Sequence, residues 1–309
     1  MPNTIDMATI LDGKKLAQQI KNQLKKEVQA LDKKYGERPY LVNLMIGDDA
    51  GSRTYANAQI KAAEYCGIGY ELKTYPLNIT QEKFEAEINR LNEDPKVNGI
   101  MLHKPVPKQI DYHSVANLVD TNKDLEGINV SNIGKMLLGE TDIIPCTPAA
   151  VMEHIKSTGV PIRGKEAVIV GHSVIVGKPL SLLLLEEYAT VTVCHVATSE
   201  ANRLKEHVGR ADILAVAVGK AHLIKGDWIK KGAIVIDVGI NRVGDSIVGD
   251  VEFEQAAQRA SFITPVPGGV GPVTVVMLMR NGVQAFKQQR KLKAAPTMSG
   301  RASPHLGKK

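Results

Sequence analysis

The sequence predicts an α/β fold of two domains, the second built on a parallel sheet, and three observations carry that expectation. Apolar, β-branched runs of strand length alternate with stretches of helical periodicity. From Ala167 onward the strand-like runs recur regularly and are apolar throughout, as strands covered on both faces must be. The chain has 309 residues, 43% apolar and 23% charged, enough for two cores.

In chain order, a short strand over Ala8 to Leu11 leads through an Asp12-Gly13 turn into a helix with Leu16, Ile20, Leu24 and Val28 on one face. The apolar run Tyr40 to Ile46 is the next strand. A loop, Gly47 to Gly51, then precedes a helix from Ser52 to Cys66 that Gly67 closes. A third unit comprises a strand from Tyr70 to Tyr75, a helix from Gln81 to Asn92 and a strand from Gly99 to Leu102, ending at His103-Lys104-Pro105-Val106-Pro107. Strand ends of this kind are where α/β proteins build sites.

The boundary falls near Pro148, after the loop Ile143 to Pro148, with a helix from Ala149 to Ser157 linking the halves. Four buried strands follow: Ala167 to Val170, Val191 to His195, Ile213 to Val218 and Ala233 to Val238. The first runs directly into Gly171-His172-Ser173-Val174-Ile175-Val176-Gly177-Lys178-Pro179 and the apolar helix Leu180 to Leu185. Gly171 permits a sharp turn, Gly177 permits close backbone approach, and Pro179 suits a first helical turn. A strand, glycine loop and helix start in this order offer free N–H groups to a pyrophosphate, so the second domain reads as Rossmann-like and dinucleotide-binding. The loop is not G-x-G-x-x-G, and the end of the next strand, Cys194-His195-Val196-Ala197-Thr198, carries neither an acid for ribose hydroxyls nor a cationic clamp for a 2′-phosphate. NAD and NADP both stay open on this reading.

Charge and cysteine content bound the function classes. The net charge of +6 is accounted for by Arg290, Lys291, Lys293, Arg301, Lys308 and Lys309, in a stretch without acids. Prolines and glycines there prevent one continuous helix, so residues 290–309 are expected to be a solvated basic tail. A nucleic-acid arm is the alternative, but no aromatic residues are interleaved to stack bases, and no nucleic-acid partner is expected. Cys66, Cys146 and Cys194 lack the spacing of a zinc site or disulfide framework. No metal is expected. No apolar run is long enough for a bilayer, and Met1 to Asp12 does not read as an export signal, so no membrane partner and a cytoplasmic location are expected.

Two later segments narrow the function: Asp237-Val238-Gly239-Ile240-Asn241, and Thr264-Pro265-Val266-Pro267-Gly268-Gly269-Val270-Gly271-Pro272-Val273-Thr274. The prolines and glycines of the second make a rigid loop whose backbone can touch a ligand. With Tyr55, Lys123-Asp124-Leu125-Glu126-Gly127 and Pro145-Cys146-Thr147-Pro148, they resemble methylenetetrahydrofolate dehydrogenase/cyclohydrolase over about Ile10 to Phe286. The resemblance implies an N-terminal folate domain, residues 1–148, completed by a C-terminal helix from Val275 to Gln289. It faces a dinucleotide domain, residues 149–274, across a cleft that holds folate and NADP. Homodimer formation is implied as well.

The resemblance further implies hydride transfer from the methylene carbon of 5,10-methylenetetrahydrofolate to the nicotinamide, giving the methenyl cation. Lone-pair donation from the folate nitrogens makes that cation reachable, so the protein mainly aligns the two carbons. The second implied activity, hydrolysis of the cation to the formyl compound, does need proton handling. By resemblance, Tyr55 stacks on the folate ring and Pro267, Gly268 and Gly269 contact it. Gly171, His172, Ser173, Ile175, Val176 and Gly177 hold the dinucleotide, with His195, Val218, Gly219, Gly239, Ile240, Asn241 and Thr274.

The chain departs from the family where proton handling would occur. The helix motif Tyr-x-x-x-Lys, whose lysine is central to the cyclohydrolase, reads Tyr55-Ala56-Asn57-Ala58-Gln59. Residues four apart share a helix face, so Tyr55 and Gln59 are expected to look into the cleft. Lys61, about 200° round from Gln59, is not. A glutamine amide hydrogen-bonds but does not exchange a proton near neutral pH. His103 stands where the family has glutamine and is expected either to titrate near neutrality or to be only a surface polar group at a strand end. Glu126 stands where the family has aspartate, its extra methylene moving a carboxylate by about an ångström. Near the expected 2′-phosphate, His172 replaces a frequent arginine and Val196 a frequent serine, which weakens any preference for NADP over NAD. The leading expectation is a folate-linked dehydrogenase with cyclohydrolase activity weak or lost, catalytic candidates being Tyr55, Gln59, His103 and Glu126. Alternatives are a bifunctional enzyme with a rearranged site, a paralogue that binds folate or nucleotide without turnover, and a two-domain dehydrogenase of the shikimate type.

Overall fold

The computed structural model describes residues 7–140 and 143–294. Two parallel sheets organise it. The smaller has the strand order Gly69–Tyr75, Tyr40–Ile46, Gly99–Leu102, with every pairing parallel. The larger has six strands in the order Thr9–Ile10, Phe262–Ile263, Ile234–Asp237, Ile213–Val216, Glu166–Val170, Thr190–Cys194, also parallel throughout. The α/β class and the Rossmann-like parallel sheet follow the sequence reading. Among the described residues no helix is long and apolar enough to cross a membrane.

The expected strands and helices fall close to their predicted places, and the differences have local causes. The helix Gly13–Tyr35 begins at Asp12, whose carboxylate accepts the N–H groups of Lys14 and Lys15 at 2.8 and 3.1 Å, so Asp12-Gly13 is a helix cap rather than a free turn. The helix Ala50–Cys66 starts two residues early because Asp49 caps it, accepting Ser52 N–H at 2.8 Å. The linking helix, Cys146–Ser157, starts at Cys146 rather than Ala149.

Two differences are larger. The first strand, expected to open the N-terminal half, pairs instead with Phe262–Ile263 at the edge of the larger sheet, Thr9 beside Phe262 and Ile10 beside Ile263. Pairing partners that far apart in sequence leave no periodic trace. The C-terminal helix is Val270–Ala294, longer than the expected Val275 to Gln289. It therefore takes in the start of the expected basic tail: Arg290 pairs with Glu37 and lies 4.8 Å from the Phe286 ring centroid. The rest of that tail, 295–309, lies outside the described residues.

The C-terminal helix packs against the helices Gly13–Tyr35, Ala50–Cys66 and Cys146–Ser157. Its Val273, Met277, Leu278 and Phe286 join one core with Leu24, Leu41, Ile155 and Ile169, drawn from both sheets and the helices between them. A polar clamp sits inside that contact. Buried Asn281 donates from Nδ2 to the carbonyls of Leu125 and Ile144, both at 2.8 Å. These carbonyls belong to the loops that present Glu126 and Cys146, so the helix fixes both.

Asn281→Ala takes the amide donor from the Ile144 carbonyl and leaves the Leu125 carbonyl only the weak Cys146 thiol bond, and is expected to cost about 3 kcal/mol. Urea unfolding measures it, and a loss under about 1 kcal/mol would mean that water replaces the amide.

Candidate active site

All strands of the larger sheet run the same way, so the segments after Val170, Cys194, Val216, Asp237 and Ile263 line one edge. α/β proteins bind ligands at that carboxyl edge. Gly171 has φ +124°, and a methyl group there would overlap the Ala217 carbonyl. A methyl on Gly177 would overlap the Gly171 carbonyl, so the turn closes only with glycine at both places. Ser173 Oγ accepts the Val176 N–H at 3.1 Å, and His172, Ser173, Val174 and Ile175 are exposed between the glycines.

Exposed Val196, Val218 and Ile240 stand on the same edge, apolar surface suited to covering flat rings, while Gly219 is exposed and Gly239 buried beside them. His172 and His195 face each other across the first two strand ends with ring centroids 5.3 Å apart. The glycine cradle and this apolar rim fit a dinucleotide. Thr274 is turned inward on its own helix, donating to the Val270 carbonyl at 3.2 Å, and Asn241 donates to Asp250 at 2.8 Å.

The proline-glycine loop also leaves this edge. Pro267 is exposed, Gly268 is half-buried at φ +104° and Gly269 is buried. Gly13 N–H donates to the Gly268 carbonyl at 2.9 Å, and a side chain on Gly13 would collide with Gly269. The loop is thus seated on the start of the first helix. Gly13 was legible only as half of a turn, and its role depends on a contact with a segment at the other end of the chain.

The smaller sheet supplies the titratable groups. Ser52 Oγ donates to the Lys104 carbonyl at 2.6 Å, tying the helix Ala50–Cys66 to the loop after Leu102. Tyr55 is half-buried and meets His103 edge-on, with ring centroids 6.1 Å apart. Gln59, expected to look into a cleft beside Tyr55, is completely buried beneath it. Its Oε1 accepts from Asn43 Nδ2 at 2.6 Å and from the Tyr70 hydroxyl at 2.7 Å, and its Nε2 lies 3.4 Å from Met101 Sδ. Lys61 is exposed, as its helical angle requires. Asn43 Oδ1 is buried with no donor among the described residues.

His103 departs from both expectations. It is buried, its backbone N–H donating to the Leu44 carbonyl at 2.8 Å, and its ring Nε2 has no partner among the described residues. Burial, reinforced by the Arg53 charge, pushes the imidazole down to about 4, so it is neutral at pH 7 and is not the near-neutral titrating group the sequence suggested.

That behaviour belongs to Glu126. Its carboxyl is pushed up to about 7 by burial and by neighbouring Asp124, against the pull of the Tyr112 hydroxyl bond and the Lys104 charge. Tyr112 donates to Oε2 at 3.2 Å, and Lys104 Nζ lies 3.7 Å from the Tyr112 ring centroid. Asp124 fixes the loop: its carboxylate accepts the N–H groups of Glu126, Gly127 and Asn129 at 3.1, 3.0 and 2.9 Å, and Asn132 Nδ2 at 3.0 Å. Lys123 is committed elsewhere, donating to the carbonyls of Leu91, Asn92 and Asp94 at the end of the helix Gln81–Glu93. Buried Cys146 donates to the Leu125 carbonyl at 3.4 Å, and burial with the Glu126 charge pushes its thiol well up.

Sequence reasoning passed over Asn43, Tyr70, Tyr112 and Lys104. Asn43 had a signal, a lone amide in the otherwise apolar run Tyr40 to Ile46, whereas the others are met only through tertiary contacts. Among the described residues no group of histidine, cysteine, aspartate or glutamate is arranged to hold a metal ion.

Residues 11–126 match the catalytic domain of tetrahydrofolate dehydrogenase/cyclohydrolase, and residues 145–290 match that family's NAD(P)-binding domain. The chain is 50% identical to the bifunctional protein FolD of Acetivibrio thermocellus over 289 residues, 93% of this chain and 99% of the relative. Among solved structures, the Campylobacter jejuni methylenetetrahydrofolate dehydrogenase/cyclohydrolase superposes with a TM-score of 0.87 at 42% identity, covering 91% of this chain and 99% of that one. The Trypanosoma brucei enzyme, solved with NADP and an inhibitor, gives 0.88 at 40% identity, covering 94% and 100%.

The Glu126 carboxyl resonance is expected to titrate near pH 7, and a midpoint near the ordinary 4.5 would contradict the account. A carboxyl whose folded value is raised binds a proton on folding, so its stabilising contribution is complete below pH 4.5 and is lost as pH rises toward 7. The difference in stability between wild type and Glu126→Gln should carry that slope.

Proposed function

Because the chain belongs to the tetrahydrofolate dehydrogenase/cyclohydrolase family, we propose that it oxidises 5,10-methylenetetrahydrofolate to the 5,10-methenyl compound with NAD or NADP, and that its cyclohydrolase activity is weak or lost. The carrying observation is Gln59, buried and hydrogen-bonded to Asn43 and Tyr70 where the family's reaction uses a lysine. A shikimate-type dehydrogenase is set aside by the family assignment.

In this reading, residues 1–148 and the helix 275–289 bind folate, and residues 149–274 bind the dinucleotide, whose nicotinamide supplies the hydride acceptor. Tyr55 covers the pterin face, edge-on to His103, and the Pro267 to Gly269 backbone borders the folate. The glycine turn at Gly171 and Gly177 holds the pyrophosphate, and Val218, Gly219, Gly239, Ile240 and Asn241 surround the rest. Oxidation needs alignment and desolvation, which these residues provide without moving a proton.

Hydrolysis of the methenyl cation adds water and releases a proton, and the pocket handles that step poorly. Gln59 cannot take the proton, and His103 is buried neutral with a value near 4. Glu126, near 7, is the one group of the four candidates suited to accept it, which favours slow residual hydrolysis as the second reading. Detectable turnover would dismiss the non-catalytic paralogue. On the adenosine side, the absence of an acid from His195 to Thr198, directly after Cys194, and the pairing of His172 with His195 support use of either cofactor. A homodimer is proposed on the family resemblance.

Mixing the protein with methylenetetrahydrofolate and each oxidised cofactor should produce methenyl absorbance and reduced cofactor in equal amounts; failure with both cofactors would overturn the dehydrogenase reading. Gln59→Lys places a donor beside the unpaired Asn43 Oδ1 and is expected to raise methenyl hydrolysis by about 100-fold. Rapid hydrolysis by the wild type, unchanged in this variant, would contradict the proposed loss.

A further inference from the structure

One buried acid stands apart from the catalytic candidates. After the hairpin Asn241–Val243 and Ser246–Val248, the chain returns to the sheet's carboxyl edge and inserts Asp250, fully buried, between two strand ends. Its Oδ2 accepts the N–H groups of Val218 and Gly219 at 2.7 and 3.0 Å. Its Oδ1 accepts Lys220 N–H at 2.8 Å and Asn241 Nδ2 at 2.8 Å. One carboxylate thus gathers three successive amides of the loop after Ile213–Val216 and a side chain from the segment after Ile234–Asp237. Asp250 is held in turn, its N–H donating to Asp237 Oδ1 at 3.1 Å, and a side chain on Gly239 would occupy the position of its carboxylate.

The tethered segments have little apolar packing of their own. Val218 is 38% and Ile240 70% exposed. Loops with so little burial are ordinarily the least ordered parts of a fold. Here four hydrogen bonds to one carboxylate, each of the strong charge-assisted kind, fix their spacing before any ligand arrives.

We propose that Asp250 is a positioning residue for the dinucleotide, setting the gap between Val218–Lys220 and Gly239–Asn241 in which the ring half of the cofactor lies. This rests on the reading that these loops border NAD or NADP. Asp250 touches neither substrate nor cofactor, and acts through the backbone it holds. Replacing one acceptor oxygen with an amide sets N–H against N–H, so the loop spreads and the acceptor carbon loses its alignment.

The test is Asp250→Asn in the full chain, with dissociation constants for NAD and NADP measured by calorimetry and steady-state constants for both substrates. Cofactor affinity should fall about tenfold, the equivalent of one charge-assisted hydrogen bond, and kcat by about 100-fold for a misplacement near an ångström. The KM for methylenetetrahydrofolate should stay within about twofold, because its residues lie on other loops. Unchanged cofactor affinity and kcat, or a loss of activity that only follows the folded fraction, would overturn the proposal. Wild-type protein that binds no dinucleotide would instead overturn the functional reading beneath it. Hydrogen exchange supplies an answer even if the variant fails to fold: the amides of Val218, Gly219 and Lys220 should be protected in wild type before cofactor is added, and exchange at the free-chain rate would contradict the clamp.

Discussion

Burial without a fixed countercharge governs the N-terminal half of this protein. Where the strand Gly99–Leu102 meets the helix Ala50–Cys66, polar groups leave water without meeting an opposite charge close enough to compensate. Desolvation then disfavours whichever form is charged. His103 is driven neutral and the Glu126 carboxyl is raised toward neutrality, with Asp124 adding to the shift. Gln59 fits this pocket because it has no charge to lose, its Oε1 accepting two hydrogen bonds from Asn43 and Tyr70. The same physics suits the pocket to a flat, partly apolar ligand and leaves Glu126, of the four candidates, the group that changes charge near neutral pH.

A second device recurs in both halves: buried carboxylates gather backbone N–H groups and thereby shape loops. Asp124 winds the segment Glu126 to Asn129, while Asp237 takes the amides of Gly239, Asp250 and Val251. Asp250 takes those of Val218, Gly219 and Lys220. Each replaces lost hydration with several short hydrogen bonds, the condition under which a buried carboxylate is tolerated. Asp237 is raised to about 6 by its burial, and the three amides pull it back. Rigid loops at a carboxyl edge suit a reaction whose main demand is that two carbons be held in line.

The fold was largely legible because its signals are local. Tyr40–Ile46 and Gly99–Leu102 have the bounds their apolar runs imply, and Gly171 and Gly177 occupy a turn that only glycine can make. What the sequence concealed depends on partners distant in the chain. Thr9–Ile10 reads as a strand, but nothing in it tells that Phe262–Ile263 is its neighbour. Gln59 has the right helical angle to share a face with Tyr55, yet its burial follows from Asn43 and Tyr70 closing over it. His103 at a strand end suggested a titrating group, and only the surrounding side chains decide that it is neutral. Arg290 read as part of a solvated tail because its contacts with Glu37 and Phe286 involve a helix longer than its periodicity marked.

The most direct test of the central claim is product partitioning in a single turnover. Enzyme in excess over methylenetetrahydrofolate, with saturating cofactor, is quenched at intervals and the methenyl and formyl compounds are separated. The account predicts that the methenyl compound builds up nearly to the amount of cofactor reduced, and that the formyl compound appears only slowly afterwards. Formyl product appearing in step with cofactor reduction, with little methenyl at any time, would show that this pocket moves protons well and would contradict it.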